Sequence, residues 1–101
     1  MAHHEDCQPF LDQLEQHLRV KGRATTTILT YTRAMRDLMA YHHAEADAIS
    51  KQELLDFLAF RQQQVGAATL HQIASAIKYF YGKVLGDPQR VIALPIPRKS
   101  L

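Results

Sequence analysis

Three absences bound this chain before any motif is considered. It holds a single cysteine, Cys7, so no internal disulfide can form and a reducing cytoplasm is the expected location. No apolar run reaches the length of a membrane span. The first residues, Met1-Ala2-His3-His4-Glu5-Asp6-Cys7, have neither a basic start nor an apolar stretch, which argues against a secretory signal. What is present is enough for one domain: 101 residues, 47% of them hydrophobic, can close a single core without staples.

Acid is missing from one stretch in particular. Residues 66–86 run from Gly66 to Gly86 without an Asp or Glu between them. With Leu70 as reference and about 100° per residue, Ile73, Ala74, Ile77, Phe80, Tyr81 and Val84 fall in one arc, the period of a helix with one buried stripe. The opposite arc is small or polar. His71, Ser75, Lys78 and Gly82 form a line along it, with Gln72 and Tyr79 beside them. A solvated helix face ordinarily mixes Glu with Lys, so an acid-free face suits the approach of a polyanion.

The rest of the chain also reads as helix. Pro9 is tolerated in a first turn, and Phe10, Leu11, Leu14 and Leu18 recur at helical spacing up to a stop at Lys21-Gly22. Thr25-Thr26-Thr27 suit the start of a second helix, where hydroxyls can cap free N–H groups, and Ile28, Tyr31, Met35, Leu38 and Met39 form its stripe. Thr26, Thr30, Arg33 and Asp37 occupy the other face. After a polar connection over 42–49, Ser50-Lys51-Gln52-Glu53 is a capping box that opens a third helix, with Leu54, Phe57 and Leu58 turned inward. Pro95 and Pro97 exclude a regular helix near the end, so 87–101 reads as an extended tail or linker.

The net charge of +2 is too small to indicate a nucleic-acid partner, but its distribution is uneven. Arg19, Lys21, Arg23, Arg33 and Arg36 precede a stretch crowded with Glu45, Asp47, Glu53 and Asp56. Counter-ion release depends on such local clusters rather than on the total.

Several of these strings carry a resemblance. Thr69-Leu70, Ser75-Ala76-Ile77-Lys78, Phe80-Tyr81 and Leu85-Gly86, together with Thr27-Ile28, Tyr31, Met35, Leu38 and Tyr41, resemble the core-binding domain of tyrosine recombinases. This is the SAM-like N-terminal domain of phage and integron integrases. Lys78 stands where that family usually has Arg, and Ala74 where a larger aliphatic residue is usual. The resemblance covers about residues 9 to 99. It implies an all-α fold of four helices with an extended C-terminal tail: 1–8 a flexible N-terminus, 9–86 the core-binding domain, and 87–101 a linker toward a catalytic domain.

The function implied is DNA binding at a recombination site, with double-stranded DNA, the C-terminal catalytic domain and neighbouring protomers as partners. No membrane and no cofactor enter this reading. The candidate contacts are Arg23, Thr25, Thr26, Thr27, Thr30 and Arg33 around the second helix, and Thr69, His71, Gln72, Ser75 and Lys78 on the fourth. Hydroxyls and unpaired N–H groups at a helix start can receive a phosphate.

Catalysis is not expected of the chain itself. Tyr31, Tyr41, Tyr79 and Tyr81 do not match the recombinase nucleophile motif, and the six histidines lack a paired ligand spacing for zinc. The competing reading is a helical protein-interaction domain whose polar face is merely solvated.

Overall fold

The computed structural model describes residues 3–92 and 94, with side chains described from residue 8 onward. Four helices form the fold: α1 (His3–Val20), α2 (Thr25–His42), α3 (Lys51–Gln62) and α4 (Ala67–Tyr79). A 3₁₀ turn at Ala46–Ala48 joins α2 to α3, a π-helical turn at Phe80–Val84 extends α4, and a second 3₁₀ turn follows at Pro88–Arg90. No strand occurs among the described residues, and the all-α, four-helix expectation holds.

Each helix boundary has a local cause. α1 closes in a Schellman arrangement: Gly22 takes φ +75°, its N–H donates to Arg19 O at 3.0 Å, and Arg23 N–H reaches back to Leu18 O at 3.0 Å. The capping box of α3 forms as its sequence requires, with Glu53 N–H donating to Ser50 Oγ at 3.1 Å and Ser50 N–H to Glu53 Oε1 at 2.9 Å. α2 and α4 start differently. Their N-cap residues are Ala24 and Gly66, and neither helix has a side-chain cap. The expected threonine cap is therefore absent, because Thr25, Thr26 and Thr27 already lie inside the first turn.

α4 is the element the others pack against. Its Ala74, Ala76 and Ile77, and then Phe80 and Tyr81 of the π turn, are fully buried. α2 and α3 both pack on α4, α2 also packs on α1, and the π turn meets α1. Leu11, Leu14 and Leu18 of α1, Met35, Leu38 and Met39 of α2, and Leu54, Phe57 and Leu58 of α3 fill the same core. Val84, expected in the stripe, is half-buried, and Phe60 stays 39% exposed with its ring 4.7 Å from that of Tyr41.

Three expectations are corrected. The first helix does not wait for Pro9 but begins at His3, so residues 3–8 are helical. Proline's φ is compatible with a helix, and the cost is one missing N–H toward the carbonyl of residue 5. The fourth helix does not run regularly to Gly86. Phe80 and Tyr81 are adjacent rings buried in different directions, Phe80 edge-on to Phe10 and Tyr81 toward Ala46. A π turn, closed by Leu85 N–H to Phe80 O at 2.8 Å, accommodates both.

The third correction concerns the tail. The tail returns to the folded core: Val91 and Leu94 are buried, and Gly86 at φ +75° turns the chain back. Arg90 explains the attachment. Its Nη1 lies 2.9 Å from Asp47 O, 3.1 Å from Ile49 O and 3.4 Å from Ala46 O. Its Nη2 pairs with Asp87 Oδ2 at 2.8 Å, and its guanidinium sits 5.3 Å from the centre of the Tyr81 ring. Tyr81 Oη donates to the same Ala46 carbonyl at 2.6 Å, and burial pushes its phenol well above the ordinary range while Arg90 opposes the shift. Pro95, Pro97, Arg98 and Lys99, the rest of the expected linker, lie outside the described residues.

Two substitutions test this frame by urea denaturation. Ser50→Ala removes an N-cap acceptor and is expected to cost about 1 kcal/mol. Arg90→Met keeps the stem but removes the charged donor shared by three carbonyls, and should cost about 2 kcal/mol. An unchanged midpoint for Arg90→Met would mean that the carbonyl clamp adds nothing to stability.

Candidate nucleic-acid interface

The polar faces of α2 and α4 come together along one side of the molecule. Residues 26–37 of α2 and 69–79 of α4 line the same clefts, and the two helices pack on each other. Three adjoining clefts follow their seam.

The middle cleft, about 320 Å³, is lined by Thr26, Thr27, Thr30 and Tyr31 from α2 and by His71, Gln72 and Ser75 from α4. A second, about 210 Å³, joins Thr30, Arg33 and Asp37 to Thr69 and Gln72, with Phe57 and Arg61 of α3 closing its side. A third, about 420 Å³, brings Tyr31, Ser75, Lys78, Tyr79, Gly82, Lys83 and Pro88 together.

Nine of the eleven residues singled out in the sequence thus share this face. Arg23 and Thr25, both exposed, line none of the three clefts. Arg23 occupies the turn after α1, where its backbone N–H serves the α1 cap.

The polar groups differ in what they can offer. Thr30 Oγ1 already donates to Thr26 O at 2.9 Å, so in this rotamer it presents lone pairs to the cleft rather than a proton. Such a group suits a donor on a base or a water better than a phosphate oxygen. The first-turn N–H groups of α2 and α4 have no side-chain acceptor, and neither first turn contains an acid.

Charge on the face is one-sided. The ion pairs among the described residues are Arg19 with Glu15, Arg90 with Asp87, and the 4.0 Å approach of His42 to Glu53. Arg33, Arg61, Lys78 and Lys83 take part in none of them, and Asp37 is the single acid lining the three clefts. Gly82 faces open space, since a Cβ built there would meet nothing within 4 Å.

The sequence itself matches a family. Residues 10–90 fit the description phage integrase, N-terminal SAM-like domain. The chain belongs to that family. Comparison with curated proteins and with solved structures gives no match. The matched span includes α2, α4, the π turn and Arg90, so the clamp on the 46–49 carbonyls lies within the integrase domain itself.

Four further residues line this face that were not among the sequence candidates. Arg61 sits in the last turn of α3, where a basic residue ordinarily complements the helix dipole. Lys83 lies in the π turn, which alters the angular spacing assumed for a regular helix. Tyr31 and Tyr79 support the seam: their rings meet edge-on at 5.8 Å, and His17 Nδ1 of α1 is hydrogen-bonded to Tyr79 Oη at 2.6 Å.

Three of the histidines are used structurally. His17 holds Tyr79, and His42 Nε2 donates to Glu53 O at 2.7 Å. His43 forms the left-handed cap of α2 at φ 51°. Among the described residues, no three His, Cys, Asp or Glu side chains converge as metal ligands.

Tyr79→Phe removes the phenol that ties α1 to the seam and leaves every charge on the face in place. Thermal or urea unfolding should show a loss of about 1 kcal/mol, the usual worth of one hydrogen bond. No loss would mean that the His17 contact does not hold the ring.

Proposed function

We propose that this integrase domain binds double-stranded DNA, clasping one side of the recombination site of a tyrosine recombinase through the α2–α4 face. The observation that carries the reading is the charge of that face. Arg33, Lys78 and Lys83 have no ion-pair partner, one acid lies among them, and two uncapped helix starts flank the same seam. A polyanion satisfies all of these groups at once. The domain itself breaks no DNA in this reading. Catalysis belongs to a C-terminal domain of the same recombinase, and neighbouring protomers on the DNA are further partners.

Of the basic residues, Lys78 presents a compact point charge, half-buried between Tyr79 and the cleft it shares with Ser75 and Gly82. A lysine of this kind holds a phosphate without reading a base. Ser75 and Gly82 keep the surface low, so that a phosphate row can come close to the helix backbone. His71 and Gln72, both exposed, are the side chains of the seam with donor and acceptor groups suited to base edges.

The test is a titration of one labelled duplex at several salt concentrations. With four to six phosphates engaged, log K against log salt should slope at about −3.5 to −5.5. Lys78→Ala should weaken binding to all duplexes alike and reduce the slope by about 1. Gly82→Glu, with open space for its side chain, should stay folded and lose binding. A flat salt response would favour a protein-interaction domain with a solvated polar face.

A further inference from the structure

The cleft between α2, α3 and α4 contains a guanidinium in an unfinished state. Arg61 donates from Nη1 to Gln64 Oε1 at 2.8 Å, within its own helix end. Its Nε, by contrast, is shielded from solvent and has no hydrogen-bond acceptor. A buried N–H on a charged group is costly to leave unpaired, and native structures rarely do so without a reason. Gln64 is itself tied to the helix end, because its N–H donates to Arg61 O at 2.8 Å.

Arg33 faces the same cleft from α2 without an ion-pair partner, and Thr69 and Gln72 face it from α4. Asp37 is the one carboxylate there, and neither arginine lies within ion-pair distance of it. Two unpaired guanidinium groups against one carboxylate leave the cleft net positive.

We infer that Arg61 is an oxyanion-binding arm of this cleft, and that the oxyanion it takes is a backbone phosphodiester of duplex DNA. The inference rests on the DNA-binding reading above and adds a third helix to it. Rotation about the outer torsions of Arg61 turns Nε–H and a neighbouring Nη–H together toward the cleft. That side-on fork is the geometry in which arginine pairs with two oxygens of one phosphate. Arg33 approaches the same group from the facing helix, and the Thr69 hydroxyl is a third donor. Asp37 acts against the anion, holding the site open to exchange and setting its affinity.

The experiment follows the full chain with one labelled duplex at two salt concentrations, using the parent, Arg61→Met, Arg61→Lys, Asp37→Asn and Lys78→Ala. Arg61→Met keeps the apolar stem and should bind about tenfold more weakly, one charge-assisted contact, with a salt slope shallower by about 0.9. Arg61→Lys keeps the charge without the fork and should fall between parent and Arg61→Met. Asp37→Asn should bind more tightly than the parent. The Arg61 Nε–H resonance of the isotope-labelled parent is recorded with duplex and, separately, with inorganic phosphate. It should shift with duplex.

Parent affinity and slope in a folded Arg61→Met would overturn the assignment. So would a duplex that leaves the Arg61 Nε–H resonance unmoved. If inorganic phosphate shifts that resonance and duplex does not, the cleft takes free anion and the phosphodiester assignment fails. Should Arg61→Met unfold, the resonance of the parent and the sign of the Asp37→Asn effect decide. Loss of affinity in Lys78→Ala alone would leave the DNA reading standing and remove Arg61 from it. No duplex binding by the parent would remove both.

Discussion

The apolar side of α4 and its π turn is the surface on which the rest of the molecule assembles. Ala74, Ala76, Ile77, Phe80 and Tyr81 are wholly buried along it, and α1, α2 and α3 each reach some part of it. Burial of this kind is one-sided, because a helix that spends one arc on the core leaves the other to solvent or a partner. The polar arc of α4 therefore follows from the core rather than competing with it. α2 settles beside it with its own polar arc turned the same way, and a seam of hydroxyl, amide and basic groups results.

The end of α4 shows how one constraint propagates. Two neighbouring rings, Phe80 and Tyr81, bury in different directions, and the backbone responds with a π turn. Tyr81 then reaches the carbonyl of Ala46, and Arg90 returns from the tail to the same loop. The carbonyls of Ala46, Asp47 and Ile49 would otherwise end a short 3₁₀ turn with few donors. Supplying them from residue 90 draws Val91 and Leu94 into the core and extends the folded unit past the proline at 88.

On the polar side, structure separates residues that a helical wheel treats alike. Thr30 and Ser75 both line the seam, yet the proton of Thr30 is committed to the backbone of its own helix. Lys78 and Lys83 share a cleft, while Arg23 stands apart in a turn. Arg61 belongs to a helix from which the sequence offered no candidate contact, yet its last turn lines the cleft shared with α2 and α4. The face built this way draws on three helices, and its positive charge comes from side chains with no acid close enough to pair.

The local pattern of the chain determined much of this by itself. Helical periodicity marked Leu14, Leu18, Met35, Leu38, Phe57, Ile73 and Ile77 as core, the Ser50–Glu53 box set the start of α3, and Gly22 the end of α1. Such signals are carried by neighbouring residues, and so they survive without knowledge of the fold. The family strings around α2 and α4 were legible for the same reason. Tertiary structure alone decided the rest. A proline cannot announce that a helix runs through it, and the stretch after Gly86 cannot announce that Val91 and Leu94 fold back. The second outcome accompanies the Arg90 carbonyl clamp, whose partners lie more than 40 residues away in the chain. Likewise, only packing could place Arg61 of α3 beside Arg33 of α2 and Thr69 of α4, because no spacing within one helix encodes a cleft shared by three.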